Sequence, residues 1–408
     1  MIRWLIFIVI FGIIDLYAFQ AVRTTYKNKY VNIAYIIISV FVLANFIYQI
    51  VNRDSGMGTR INWAIGFFLT LYIPKIVVMC LMFGEDIFRV PQALYRMFTT
   101  SGQESSGYMP SRRVFVSQLA LGLAAIPFVS FLYGMVIGKY NFKVLKYTLE
   151  FDDLPEAFDG YQITQISDIH SGSFDNEEKI SYAVDLVNEQ KSDLLLFTGD
   201  MVNNIASEMD PWKAIFSRLS AKDGMFSILG NHDYGDYAQW DSDEDKVNNL
   251  KRLEEIQNEL GFDLLKNESR FVEKNGERIA LVGVENWGMG FKQKGDLKKA
   301  SNNIDANDFK ILMSHDPSHW QHQVIDDDYH YHLTLSGHTH GMQFGIEIPG
   351  WIKWSPVKWR YKYWAGIYEE KGQYINVNRG FGFLAYPGRV GIWPEISVIT
   401  LKKGDREA

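Results

Sequence analysis

The sequence predicts four membrane-spanning helices followed by a large α/β domain. Three observations carry that expectation: four apolar stretches within the first 138 residues, apolar runs alternating with amphipathic stretches after them, and a change in charge between the two parts. The 408-residue chain has a net charge of −7 and is 47% hydrophobic. Residues 1–138 hold 11 Lys/Arg against 5 Asp/Glu, whereas residues 139–408 hold 30 against 43. All nine histidines follow residue 169. A basic, apolar front joined to an acidic, histidine-bearing remainder excludes a wholly soluble protein and a disordered one. The acidic remainder argues against a nucleic-acid partner. The single cysteine, Cys80, excludes an intrachain disulfide and any thiolate cluster, but says nothing of compartment.

The membrane region is expected over 1–138, with spans at about 4–22, 31–51, 62–84 and 114–138. Each has the roughly 20 residues that a bilayer requires. One such run alone would equally suit a buried core helix; four in succession, with short polar loops between, do not. Asp15 and Lys75 interrupt the first and third runs, which cross in the same direction. Either they pair at one depth, or Lys75 snorkels while Asp15 sits near an interface. Residues 86–98 mix apolar and basic side chains and predict an interfacial helix. Residues 99–110 are Ser/Gly-rich and predict a flexible linker.

Basic residues on the two faces are nearly balanced, so orientation rests on a local pattern. Ser111-Arg112-Arg113-Val114-Phe115-Val116 directly precedes the fourth run and resembles a twin-arginine export signal, with Ser117 in place of its final lysine. An ordinary basic flank is the competing reading. No small-residue cleavage site follows, so the segment would remain as an anchor. The export reading makes the chain an integral inner-membrane protein with its second domain outside the cytoplasm.

The second domain is expected over 139–408. Short apolar runs at 161–166, 194–197, 224–229, 279–284, 309–313, 332–335, 374–377 and 396–401 read as strands, and 176–190 and 243–260 as helices. Polar residues after five runs carry the chemistry. They are Asp168-Ile169-His170, Gly199-Asp200-Met201-Val202-Asn203, Gly230-Asn231-His232-Asp233, Ser314-His315-Asp316-Pro317 and Gly337-His338-Thr339-His340-Gly341. Open α/β sheets build their sites at the carboxyl ends of strands. Carboxylates, imidazoles and one amide without thiolate suit Mn, Fe or Zn. There are more donors than one ion needs, and two ions sharing a carboxylate would use them to clamp a phosphoryl group.

Together these motifs resemble the calcineurin-like metallophosphoesterase superfamily over roughly residues 160–402. The front end makes the chain similar to its membrane-anchored branch. Related members include exported bacterial phosphodiesterases and UDP-2,3-diacylglucosamine hydrolases. The resemblance implies a four-layer αββα sandwich and two divalent metal ions. By it, Asp168, His170 and His340 bind the first metal, Asn231, His315 and His338 the second, and Asp200 bridges them. His232 contacts the phosphate and protonates or stabilises the leaving oxygen, helped by Asp233. Asn203 departs from a frequent Asp, and Met342 from a frequent Gly. His319, His322, His330 and His332 are expected to be incidental.

Residues 351–368 are rich in Trp, Tyr, Lys and Arg. They suit either a rim touching membrane lipids or an amphiphilic substrate, or a small hydrophobic core. The functional expectation is a membrane-anchored phosphodiesterase or phosphatase acting on a lipid-linked or envelope phosphate ester. The alternatives are a UDP-2,3-diacylglucosamine pyrophosphate hydrolase of lipid A synthesis, whose cytoplasmic substrate conflicts with export, and a non-catalytic scaffold or sensor. The complete donor set disfavours the scaffold. A transporter would rest on Asp15 and Lys75 alone. The sequence sets neither substrate, native metal nor oligomeric state.

Overall fold

The computed structural model describes residues 2–52, 58–99, 110–348 and 350–404. They divide into two compact units. One holds residues up to 52 and 63–135; the other holds 58–62 and everything from 136 onward.

The first unit is built from α1 (Ile2–Thr25), α2 (Lys29–Val51), α3 (Thr59–Thr99) and α4 (Pro110–Val136). All four are long and apolar enough to cross a membrane. Their exposed large side chains are apolar, as lipid contact requires. Asn28 starts α2 by accepting the Tyr30 amide at 2.8 Å.

The expected break after residue 84 does not occur. Residues 86–98 continue α3 rather than forming a separate interfacial helix. The charges that suggested an end are neutralised where they stand. Glu85 pairs with Arg89 one turn on at 2.9 Å and with Arg113 of α4 at 2.8 Å. Asp86 also reaches Arg113, at 2.6 Å. The expected linker at 99–110 lies, apart from its helical ends, outside the described residues.

Asp15 and Lys75 pair inside this unit. Lys75 Nζ lies 2.5 Å from Asp15 Oδ1 and 2.7 Å from Ser39 Oγ. Tyr72 donates to Asp15 Oδ2 at 2.7 Å, and Tyr35 donates to Oδ1 at 3.3 Å. The ammonium also faces the Tyr72 and Tyr35 rings, 4.4 and 4.9 Å from their centroids. Asp15 and Lys75 therefore each have partners, and α1, α2 and α3 are tied at one level.

The second unit contains β1 (Lys143–Phe151), β2 (Gln162–Ile166), α5 (Glu177–Glu189), β3 (Leu194–Phe197), α6 (Lys213–Phe216), β4 (Met225–Ser227), α7 (Asp243–Glu259) and β5 (Asp263–Leu264). Then come β6 (Glu268–Lys274), β7 (Glu277–Gly283), α8 (Leu297–Ala300), β8 (Phe309–Met313), α9 (Pro317–His322) and β9 (Leu333–Ser336). It closes with β10 (Ile346–Ile348), β11 (Ile352–Trp354), β12 (Gly366–Glu370), β13 (Gln373–Val377) and β14 (Glu395–Lys403).

One six-stranded sheet has the order β1-β14-β2-β3-β4-β5 and the other β12-β13-β9-β8-β7-β6; β10 and β11 pair only with each other. Strands β2 to β5 run parallel, as do β7, β8, β9 and β13. Alternation along each strand divides the apolar side chains between two faces. Leu194 and Leu196 enter the core between the sheets with Ile279, Leu281, Ile311 and Leu333. Leu195 and Phe197 face the opposite way, under Ile180 and Val184 of α5 and Leu253 and Ile256 of α7. On the far side, Val282 and Leu312 pack with Leu297 of α8 and Trp320 of α9. This is a four-layer αββα sandwich.

The interior strands match the apolar runs. Edge strands β1, β6 and β12, with many polar side chains, were not expected from sequence, because a half-exposed strand lacks a continuous apolar run.

Replacing Lys75 by Met is expected to strand the Asp15 carboxylate and lower the unit's stability by about 1–3 kcal/mol. The double replacement Asp15→Asn with Lys75→Met should recover part of that loss. Thermal unfolding of the full chain in detergent micelles tests this, and strictly additive effects would refute the coupling.

Candidate metal centre

The site is assembled from loops at the carboxyl ends of β2, β3, β4, β8 and β9. Each strand ends where its apolar run stops, and the next residues turn sharply. Asp168, His170, Asp200, His338 and His340 all adopt positive φ, between 49° and 69°. Such conformations cost of order 1–3 kcal/mol each and persist only where surrounding structure enforces them. Here they aim successive side chains into one space.

Close approach of the loops requires glycine at two points. A Cβ on Gly230 would stand 2.2 Å from Asp200 Oδ1, and one on Gly337 would stand 2.3 Å from Asp168 Oδ2. The Asp233 carboxylate holds the β3 and β4 loops together, accepting from the amides of Asp200 at 2.9 Å, Met201 at 2.8 Å and Gly230 at 2.8 Å.

Two groups of donors result. Asp168, His170 and His340 form one, and Asp200, His315 and His338 the other, with the donor atoms in each within 4.8 Å of one another. Asn231 joins the second group, its Oδ1 lying 2.8 Å from His338 Nδ1. Asp200 lies between the groups. Its Oδ2 is 3.1 Å from His315 Nε2 and 3.7 Å from His170 Nε2, while its Oδ1 accepts the His232 amide at 2.8 Å.

Neighbouring groups decide which ring nitrogens are available. The Thr198 carbonyl accepts from His315 Nδ1 at 2.7 Å, which leaves Nε2 as the donor atom for a ligand. His338 is turned the other way. Its Nε2 lies 2.8 Å from Tyr361 Oη and 3.4 Å from Asp316 Oδ2, so Nδ1 faces Asn231. His232 is held by its Nδ1, which donates to the Asn203 carbonyl at 2.7 Å and leaves Nε2 free for chemistry.

The residues fit a pair of cations. His170 Nε2 and His340 Nε2 face each other 3.0 Å apart, although only one proton can lie between two ring nitrogens. His315 Nε2 faces the Asp200 carboxylate at 3.1 Å. Converging lone pairs of this kind suit Lewis acids.

Electrostatics agree with the geometry. Burial pushes His170, His232 and His338 below the usual imidazole range. Burial opposes a charged His315 ring as well, but the adjacent Asp200 carboxylate overrides it and raises His315 to about 10, placing on Nε2 a proton that a cation bound there would displace. Despite burial, the facing imidazoles hold Asp168 and Asp200 well below the usual carboxylate range, His340 for the former and His315 for the latter. Burial, with Asp200 nearby, pushes Asp233 up to about 7.

Every site residue expected from sequence thus falls in or beside these two groups. The exception in detail is Asp233, whose carboxylate is spent on backbone amides, with no hydrogen bond to the His232 ring among the described residues. Tyr361 and Asp316, which orient His338, were given no role from sequence; the Ser-His-Asp-Pro motif contained Asp316 without indicating its task. Arg389 was also missed. It is fully buried, donates to the Gly380 carbonyl at 3.1 Å and the Gly382 carbonyl at 2.9 Å, and lies 3.3 Å from His340 Nδ1.

His319 is buried beneath Trp287 and held by Ser314 and Gln323, a structural use. His332 pairs with Asp153 at 2.7 Å at the opposite end of β9. The aromatic stretch divides: Val357, Tyr361 and Trp364 form a small core with Ile392, whereas Trp351 and Trp359 are exposed.

An αββα sandwich with paired Asp/His donor groups at its strand ends has the metallophosphoesterase fold. Residues 161–342 match the family model described as "Calcineurin-like phosphoesterase", and residues 2–139 match "Probable Calcineurin-like phosphoesterase, transmembrane domain". The chain therefore carries a calcineurin-like phosphoesterase domain preceded by a four-helix transmembrane phosphoesterase domain.

It is 29% identical over 299 residues to the uncharacterized metallophosphoesterase YkuE of Bacillus subtilis, covering 72% of this chain and 98% of that protein. It is 27% identical over 296 residues to the transmembrane protein with metallophosphoesterase domain of Danio rerio, covering 70% of this chain and 62% of the relative's length. Among solved structures, a Thermus thermophilus sulfate thiohydrolase, SoxB, aligns with a TM-score of 0.34 and 12% identity over 61% of this chain and 57% of its own.

Tyr361→Phe combined with Asp316→Asn should free the His338 ring and weaken one of two metal equivalents by about 10–100-fold. Chelator-competition titration measures this. Unchanged affinity for both equivalents would remove the two residues from the site.

Proposed function

We propose that this protein is a membrane-anchored phosphoesterase that hydrolyses a lipid-linked or envelope phosphate ester at a two-metal centre. The observation that carries the reading is the position of Asp200, whose Oδ2 lies against a histidine of each donor group. Asp168, His170 and His340 would hold one divalent ion, and Asn231, His315 and His338 the other, with Asp200 shared. Mn, Fe or Zn suits this donor set. When bound, two such ions would supply Lewis acidity to the phosphoryl group and to an attacking water.

The remaining work falls to the chain. His232, anchored through Nδ1 by the Asn203 carbonyl, presents Nε2 to the departing oxygen, and would donate a proton there as the imidazolium, a form that burial opposes and an anionic phosphate beside it would favour. Asp233 supports His232 by holding the loops that carry it and Asp200 in register. The Tyr237 ring lies tilted against the His232 ring, 4.4 Å between centroids, and its hydroxyl accepts from Asn231 Nδ2 at 2.9 Å, keeping the Asn231 carbonyl oxygen turned toward the donor group. Met342 is exposed two residues past His340, where it narrows the approach.

In this reading the catalytic domain lies outside the cytoplasm of an inner-membrane protein, on the strength of the twin-arginine pattern. Arg113 has a structural use as well, in its pairing with Glu85 and Asp86.

His232→Ala should keep fold and metal but lose turnover by about 10²–10⁴-fold on a chromogenic phosphate ester. Unchanged kcat would remove its role as proton donor. Asp200→Ala should deplete or disorder both metal positions. A full two-ion complement by elemental analysis would show that Asp200 does not bridge.

A further inference from the structure

We infer that the β10–β11 hairpin is a lipid-docking element that seats the mouth of the metal centre against a bilayer surface. The inference deepens the proposed function by naming the surface on which the substrate is met, and it rests on that reading for its catalytic consequence alone.

The hairpin is an excursion between two site residues. The chain leaves the site at His340 and returns at Tyr361, whose hydroxyl meets His338. Its root is fixed, because Ser355 donates to the Gly341 carbonyl at 2.8 Å and the Gly345 amide donates to Val390 at 2.9 Å. The strands pair Ile346 with Trp354, Glu347 with Lys353 and Ile348 with Ile352.

Alternation then gives the ribbon two unlike faces. The Glu347–Lys353 face is bound to the body of the domain: Glu347 pairs with Arg379 at 2.6 Å, and Lys353 donates to the Ala365 carbonyl and lies over the Trp364 and Tyr368 rings. The opposite face carries only Ile346, Ile348, Ile352 and Trp354. Ile346 and Ile348 are 51% and 42% exposed. Trp351 in the connecting turn is 77% exposed, and Trp359, edge-on to Trp354, is 75% exposed. A ribbon with one polar face turned inward and one apolar face turned outward is the reverse of a solvated hairpin.

Charge identifies the occupant. Of the four Lys/Arg in residues 346–362, Lys353 is turned to the domain body and Lys362 pairs with Glu370 at 2.8 Å, while Lys358 and Arg360 flank the exposed Trp359, within a region, 139–408, that carries 30 Lys/Arg against 43 Asp/Glu. A local cationic patch around exposed tryptophans, in an acidic domain, complements anionic headgroups over an apolar layer. Tryptophan and basic side chains share the bilayer interface for that reason. A chain with four membrane-crossing helices has such a surface within reach of every copy. The substrate class that suits this placement is an amphiphilic phosphate ester held by its tail in the bilayer, with its phosphate at headgroup level.

The test uses the full chain in nanodiscs of phosphatidylcholine and phosphatidylglycerol. In a Cys80→Ser background, Trp351→Cys and, separately, Trp359→Cys carry a nitroxide; Tyr182→Cys, exposed on α5, serves as control. Power saturation is expected to show oxygen-dominated relaxation at 351 and 359, and relaxation by a water-soluble nickel chelate at 182. Nickel-dominated relaxation at all three sites overturns the inference. Dipolar broadening that disappears on dilution with unlabelled chain also overturns it, making the occupant a second copy. This readout needs no turnover, so it stands or falls separately from the hydrolase reading.

The catalytic consequence is read with Trp351→Ser/Trp359→Ser. Its kcat/KM should fall at least about 10-fold on nanodisc-held hexadecyl p-nitrophenyl phosphate and stay level on soluble bis(p-nitrophenyl) phosphate. Equal effects on the two probes would refute the docking role.

Discussion

The site depends on one carboxylate. Asp200 sits at the end of β3 in a left-handed conformation, and its two oxygens have different tasks. One accepts the His232 amide, and so ties the proposed proton donor to the metal-binding loop. The other lies against histidines of both donor groups. Asp233 underpins this arrangement by collecting the amides of Asp200, Met201 and Gly230. A buried carboxylate with that many donors is strongly held, so the β3 and β4 loops behave as one rigid piece. Catalytic geometry that must be held to fractions of an ångström is placed on the least mobile part of the fold.

The membrane unit solves a comparable problem with different means. Charges in an apolar bundle are tolerated when each is matched on the spot. Lys75 is met by Asp15, Ser39 and two tyrosine rings; Glu85 is met by Arg89 and Arg113. The same pairing that makes these charges tolerable joins helices distant in sequence. The Arg113–Glu85 pair also explains why α3 continues through a stretch whose polarity suggested a helix end.

The surface around the metal centre is less uniform than its composition implies. The stretch rich in Trp, Tyr, Lys and Arg was open to two readings, a lipid rim or a small core. The fold allots residues to both environments: Tyr361 and Trp364 turn inward, where Tyr361 orients a metal-site histidine, while Trp351 and Trp359 stay outside. Sequence spacing does not separate these fates, because the alternation of β11 ends at Trp354 and the chain from there to β12 has no sustained period of 2 or 3.6.

By itself the sequence determined the four spans, the interior strands and the residue types delivered at each strand end. These are local properties: run length, alternation and the side chains that follow a run. It did not reveal that His338 is held by Tyr361 and Asp316, that Arg389 lies behind His340, or that Asp233 serves backbone amides. Those contacts join positions separated by up to about 50 residues along the chain, and no local period encodes them. The edge strands were hidden for the opposite reason, since their half-exposed pattern is too weak a local signal. Tertiary structure alone decided which side chains meet, because packing two sheets face to face is what brings His170 within 3.0 Å of His340 across 170 residues of chain.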